Sequence, residues 1–227
     1  YRSSPHNYFL YKVCSKIMIH NHTSIPALEK RYRANLINSL GGFKSLVLIG
    51  TRHESGAENL ATFSSLFHLG ADPALCGIIV RPTQPGINTL HNIQQQKQYT
   101  INHVRPAFYR EAHQCSAKYL PGESEFEATG LHPYYVNGIH APFVEESHIR
   151  FACETEKIIP IELNDTTLVI GRIIYVEVPD EWVGADGFID LEKANTVTCS
   201  GLDSYHTTSR LARLSYAKPD WPVTDLP

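Results

Sequence analysis

Four polar side chains in the first half of the chain have types and a spacing that suit phosphate binding. Thr62 and Ser64 lie two apart in an apolar segment, and in a strand such side chains share one face, about 6.5–7 Å apart. Arg81 ends the next apolar run, where its guanidinium can bind a phosphate through two parallel hydrogen bonds. Thr89 is placed to cap a helix, whose first backbone N–H groups attract anions. The spacing therefore predicts a phosphate site that needs no glycine-rich loop.

Each of these residues also suits an ordinary structural role, and that interpretation stays open at this point. Threonine and serine are common in strands, an arginine can end a strand in solvent, and a threonine can cap a helix without binding a ligand. The clustering of the four within about thirty residues favours a site, although it does not identify the ligand.

Composition and length favour one globular domain that spans residues 1–227. Hydrophobic residues make up 42% of the chain, which is an ordinary globular value and argues against overall disorder. We find no internal repeat and no linker, so the whole length can share one core. Lys and Arg number 20 against 23 Asp and Glu, a net charge of −3. That balance argues against a nucleic-acid partner.

Cysteine usage and hydropathy predict a cytoplasmic protein. The five cysteines are widely spread and form no CxxC pair, which suits buried thiols in a reducing compartment better than disulfides or a zinc site. No window of about 18 apolar residues is present, so no membrane span is expected. The apolar segment 8–19 is interrupted by Lys12 and Lys16, so we do not interpret it as a signal peptide.

Hydrophobic periodicity predicts a mainly β chain with added helices. Residues 1–23 have no clear pattern and are predicted to form an N-terminal arm, and residues 120–147 a long surface excursion rich in Pro, Gly, Glu and His. Helices are predicted over 24–40 with Ser24 as cap, 89–98 with Leu90 and Ile93 facing inward, and 106–119. Strands are predicted over 44–51, 59–70, 74–81, 99–104, 149–163 and 166–179, the first two as a hairpin and the last with a bend at Gly171. Without regular βαβ alternation, this order favours an antiparallel split β-barrel with added helices.

Four segments carry a resemblance to a known family: NLATFSSLF at 59–67, GIIVRPTQPGINTLHNIQQQKQYTINHV at 77–104, SEFEATGL at 124–131 and GLDSYHTTSRLARLSYA at 201–217. Their order and spacing resemble those of the flavin reductase-like family, from about Leu36 to Ala217. The resemblance implies the FMN-binding split barrel and a homodimer that holds FMN without a covalent bond. It also implies NADH or NADPH as the electron donor, with hydride passed to the flavin N5 atom. Such a reaction needs no protein nucleophile, so no catalytic side chain is predicted.

The resemblance also assigns residues to the flavin. Its ring and ribityl chain would lie along Asn59, Leu60, Ala61 and Thr62, partly against backbone groups. The phosphate would be surrounded by Ser64, Arg81, Thr89 and Asn92. Positions that close over the flavin would be Asn102, His103, Tyr205 and His206.

Other functions remain to be weighed against this one. A flavoredoxin-like protein would use the same phosphate site to carry electrons or store FMN, without direct reduction by NAD(P)H. A metal site could use the histidines and glutamates at positions 20, 22, 140, 145, 146 and 148, but their spacing matches no recognised signature, and no metal is predicted. A G-x-S-x-G nucleophile motif is absent, and the scattered glycines form no dinucleotide fingerprint.

Overall fold

The computed structural model describes residues 17–82, 88–120 and 123–226. Most of the predicted N-terminal arm, with Cys14, and residues 83–87 lie outside the described residues. The α-helices are α1 Ser24–Ala27, α2 Lys30–Ser39, α3 Thr89–Gln96, α4 Tyr109–Gln114 and α5 Glu125–Thr129, with a 3₁₀ turn at Asp180–Trp182. The strands are β1 Lys44–Ser45, β2 Val47–Arg52, β3 Glu58–Phe63, β4 Phe67–Ala71, β5 Ala74–Val80, β6 Gln98–His103, β7 Pro133–Tyr134, β8 Phe143–Val144, β9 Arg150–Ile161, β10 Thr166–Glu177, β11 Thr198–Ser200, β12 Ser204–His206, β13 Arg213–Leu214 and β14 Asp225–Leu226.

One seven-stranded sheet forms the centre of the fold, in the order β3-β2-β6-β9-β10-β5-β4. All of its neighbouring strands pair antiparallel. A three-stranded sheet, β1-β11-β12, lies beside it. The predicted class, mainly β and antiparallel with added helices, is confirmed. In the described part of the chain, none of the helices is both long and apolar enough to cross a membrane.

Strand β2 is buried on both faces, and its alternating side chains enter two separate apolar clusters. Leu48 packs in a cluster with Leu60 of β3 and residues of α4 and α5. Val47 and Ile49 pack in the other cluster, with residues of β5, β6 and α3. Burial on both sides explains why β2 is a continuous apolar run rather than an alternating one. The predicted hairpin with the next strand is confirmed, since Ile49 pairs with Ala61.

The single strand predicted over 59–70 is wrong, because the chain bends between β3 and β4. β3 ends at Phe63 and β4 begins at Phe67. In the bend, the Ser65 hydroxyl accepts from the Ile79 N–H at 3.1 Å and donates to the Ile79 carbonyl at 3.0 Å. Since β3 and β4 are the two edge strands of the seven-stranded sheet, this short link holds its two edges near each other.

Two predicted helices are shorter than the sequence suggests. The helix predicted over 24–40 is divided into α1 and α2, because the Glu29 carboxylate accepts from the N–H groups of Arg31 at 2.9 Å and Tyr32 at 2.8 Å and caps a new helix. Ser24 is the first residue of α1 rather than its cap. The helix predicted over 106–119 is reduced to α4.

The prediction that residues 120–147 form a surface excursion is also wrong, because part of this segment is buried. Within it, α5, β7 and β8 form, and Phe126, Leu131, Phe143 and Val144 are buried. Phe126 and Leu131 join the cluster around Leu48. The segment therefore completes the core on one side of β3.

The long hairpin of β9 and β10 and the irregularity at Gly171 are confirmed. The pairing register shifts between Ile170 and Gly171, and a Cβ at residue 171 would overlap the buried Tyr99 hydroxyl. The cysteines in the described residues, Cys76, Cys115, Cys153 and Cys199, are free and buried, as predicted.

Candidate functional site

A buried polar network joins the start of β3 to the start of α3. The Asn59 amide nitrogen donates to the hydroxyls of Thr51 at 3.2 Å and Thr89 at 3.1 Å. The Asn92 amide nitrogen donates to the same Thr51 hydroxyl at 3.0 Å. All four side chains are buried. The structure thus brings together three of the predicted site residues, Asn59, Thr89 and Asn92, through a threonine that the sequence did not single out.

The cap of α3 is Asn88, not Thr89 as predicted. The Asn88 side-chain oxygen accepts from the His91 N–H at 3.0 Å, while Thr89 is the first helical residue. The Asn92 side-chain oxygen is buried and has no hydrogen-bond partner among the described residues. Because its free atom is an acceptor, Asn92 suits an ordering role in this network better than a direct contact with an anion.

The outer edge of β3 presents backbone donors. The Leu60 N–H donates to the Glu125 carboxylate at 3.0 Å, so it points away from β2. Since backbone N–H groups alternate along a strand, the Thr62 N–H points outward as well. Burial raises the pKa of Glu125 above its usual value, although the Leu60 N–H opposes that shift. Sequence reasoning missed Glu125, which lies in the segment SEFEATGL.

Thr62 and Thr89 do not converge on one point as the spacing predicted. Thr62 pairs with Leu48 across β2, whereas Asn59 pairs with Thr51. Residues three apart in a strand face opposite sides, so Thr62 lies on the α4 side, and its hydroxyl donates to the Ala112 carbonyl. Asn59, and with it Thr89, lies on the α3 side.

Ser64 and Arg81 lie near the bend that links the two sheet edges. Ser64 follows β3. Burial raises the pKa of Cys199, while the charge of Lys44 and the Ser64 hydroxyl oppose that shift. Arg81 is exposed and follows directly after β5, two residues beyond Ile79, which bonds Ser65. Ser65, which the sequence analysis passed over, is therefore the serine that orders this corner.

The structure gives Asn102 and His103 internal partners. The Asn102 amide nitrogen donates to the Leu48 carbonyl and the Thr100 hydroxyl, both at 3.1 Å, and its oxygen accepts from the Val144 N–H at 2.9 Å. Burial lowers the pKa of His103 to about 4, so the ring is neutral at neutral pH.

Tyr205 and His206 lie on β12, beside α4. The Tyr205 hydroxyl is 2.5 Å from Nδ1 of His113, one residue beyond the Ala112 carbonyl that Thr62 contacts. His206 lies 2.8 Å from the Ser200 hydroxyl. The predicted residues therefore form two groups: Asn59, Thr89 and Asn92 on the α3 side, and Thr62 and Tyr205 on the α4 side.

A separate cavity of about 370 Å³ contains none of the predicted flavin residues. It lies at the start of β9 and the end of β10, lined by residues that include His148, Arg150, Glu177 and Trp182. His148 accepts from Arg105 at 2.7 Å, and Arg150 pairs with Glu177 at 2.6 Å. In the described ranges, no three His, Cys, Asp or Glu residues are arranged to hold a metal ion.

Comparison with known proteins decides the family. The profile described as "Flavin reductase like domain" matches residues 40–190, more than half of the chain. The chain belongs to the flavin reductase-like family. The match includes the site residues of both groups apart from Tyr205, which lies on β12 beyond residue 190.

Individual proteins are similar to this flavin reductase-like chain in sequence, in fold or in both. A Shewanella frigidimarina NCIMB 400 protein, proposed to be a flavin reductase with a split barrel domain, is 50% identical with a TM-score of 0.84, over 88% of this chain and 100% of that one. Nitrilotriacetate monooxygenase component B from Bacillus cereus shares the fold at 20% identity, with a TM-score of 0.77 over 88% of this chain and 100% of its own. The uncharacterized protein YwrF of Bacillus subtilis (strain 168) is 28% identical over 180 residues, 77% of this chain and 83% of YwrF.

Proposed function

We propose that this chain binds FMN and reduces it with NADH or NADPH. The observation that carries the proposal is the outer edge of β3, between the start of α3 and the α4 side. Its outward N–H groups are that of Leu60, which donates to Glu125, and that of Thr62. A planar ring with hydrogen-bonding edges can dock along such a strand edge. Family membership supports a flavin as that ring.

Residues on the two sides of β3 would then have different tasks. Arg81 is an exposed cation and would supply a charge for the phosphate, and the first N–H groups of α3 would supply hydrogen-bond donors. Thr51 and Asn59 fix the start of α3 relative to the strand. The N–H groups of α3 are therefore positioned before the ligand binds. The hydroxyls of Thr62 and Tyr205 both contact α4 and would orient the wall facing the ring.

A bound flavin would supply the redox chemistry, because its N5 atom can take a hydride with its two electrons from a dihydronicotinamide, which leaves an oxidised nicotinamide. The side chains of this chain need only bind and orient the two planar groups and exclude water. The outward Thr62 N–H at the β3 edge would also stabilise negative charge that develops on a bound ring.

We extend the proposal to a cytoplasmic homodimer with the family's split barrel. Large exposed apolar side chains in the C-terminal segment support a covered surface there, among them Leu211, Tyr216 and Trp221, which are 103%, 88% and 73% exposed in the single chain. Light scattering on the purified protein should give twice the chain mass of 25.5 kDa.

The decisive experiment is an anaerobic stopped-flow test of the purified protein loaded with FMN. We expect flavin absorbance to be bleached by NADH, NADPH or both, faster than for free FMN under the same conditions. Bleaching by dithionite alone would instead favour a flavoredoxin-like electron carrier. Failure to retain FMN, riboflavin or FAD would remove the flavin function altogether.

A further inference from the structure

Glu125 occupies the donor that the β3 edge would otherwise offer at Leu60. It is the first residue of α5, and its Oε2 accepts from the Leu60 N–H at 3.0 Å. In the described part of the chain, the Leu60 N–H is the group of another residue that donates a hydrogen bond to this carboxylate. The Glu125 backbone N–H also interacts with the carboxylate. In that part of the chain, the second oxygen, Oε1, receives no hydrogen bond from another residue.

The edge therefore presents an acceptor beside a donor. Glu125 Oε1 is the acceptor, and the outward Thr62 N–H is the donor two residues along the strand, about 6.5–7 Å from residue 60. A ligand that complements this pattern has an N–H group flanked by a carbonyl oxygen. The imide edge of a flavin ring has that arrangement, with N3–H between two carbonyls.

We infer that Glu125 recognises the imide edge of the flavin, accepting N3–H at Oε1 while the Thr62 backbone N–H donates to a neighbouring carbonyl oxygen. The inference rests on the proposed function. The alternative is a purely structural role, in which the Glu125 carboxylate only accepts the Leu60 N–H at the strand edge. In that case, the substituent at flavin N3 would not change the affinity.

The test compares FMN with 3-methyl-FMN, in which the N3–H donor is replaced by a methyl group. Flavin fluorescence quenching gives both dissociation constants. We expect the wild-type protein to bind 3-methyl-FMN at least about tenfold more weakly, which corresponds to about 1.4 kcal/mol. Glu125→Ala should bind the two flavins about equally, because the discriminating oxygen is gone. Glu125→Gln keeps an oxygen acceptor and should retain part of the discrimination.

Glu127→Ala is the matched control, since Glu127 lies in the same helix with an exposed side chain. It should discriminate like the wild type. Equal binding of the two flavins by the wild type, or undiminished discrimination by folded Glu125→Ala, would overturn the inference. If Glu125→Ala fails to fold by circular dichroism, the wild-type and Glu125→Gln comparison still decides. Absence of FMN binding to the wild type would instead overturn the proposed function.

Discussion

Replacing Arg81 by alanine tests the phosphate site most directly. Arg81 is exposed at the end of β5, and it makes no hydrogen bond or ion pair with another residue in the described ranges. Within those ranges, its removal therefore breaks no hydrogen bond or ion pair. A hydrogen bond to a charged partner contributes about 1.5–3 kcal/mol, and solvent screening places an exposed arginine at the lower end. We expect FMN affinity to fall roughly tenfold, with an unchanged circular dichroism spectrum.

The assay is titration of the protein with FMN, followed by quenching of flavin fluorescence, at low and high salt. Riboflavin serves as the control ligand because it lacks the phosphate, and its affinity should not change. Arg31→Ala is the control variant, since Arg31 is an exposed arginine in α2, and it should bind FMN like the wild type. The reasoning is refuted if Arg81→Ala binds FMN normally, or if riboflavin affinity falls by the same factor.

Two further predictions concern the frame that holds the site. Burial lowers the pKa of His103 from 6.5 to about 4, so the unfolded chain takes up a proton on this histidine at a higher pH than the folded chain does. The contribution of neutral His103 to the free energy of unfolding should be complete above about pH 6.5. It should decline by on the order of 3 kcal/mol towards pH 4. Urea unfolding across that range should show a shallower decline for His103→Gln, and an unchanged slope would contradict the assignment. Gly171→Ala should destabilise by about 1–3 kcal/mol because its Cβ would overlap Tyr99, whereas Gly41→Ala, with no atom closer than 3.7 Å, should cost much less in the same assay.

The predictable parts of the fold are those set by local pattern. The apolar run in β2 and the helix α3, with Ile93 buried and Gln94 and Gln95 exposed, follow from hydrophobic periodicity alone. Gly171 indicated an irregularity correctly because a strand interior rarely tolerates glycine without a reason. In this chain the reason is the Tyr99 side chain, which comes from another strand.

The errors arise where a distant contact overrides the local pattern. Nothing between Asn59 and Gly70 signals a bend; the bend depends on Ser65 reaching Ile79, fourteen residues away. The 120–147 segment has little periodicity, yet Phe126 is buried because α5 packs against β3. Glu125 had a local signal, since Ser124 stands at the cap position of α5, but its partner at Leu60 could not be inferred from spacing.

The division of the predicted residues between two faces makes β3 itself the central element of the site. An edge strand with open N–H groups is a liability in solution, because it can pair with another chain. Here one outward donor is covered by Glu125, and the α4 side is held by Thr62. Within the described part of the chain, the outward Thr62 N–H remains without such a cover. The start of β3 is tied to α3 by Asn59, and its outer edge is only partly covered. A ligand that binds through backbone groups needs such an arrangement, because the strand is held in place from both sides while its remaining donor stays available.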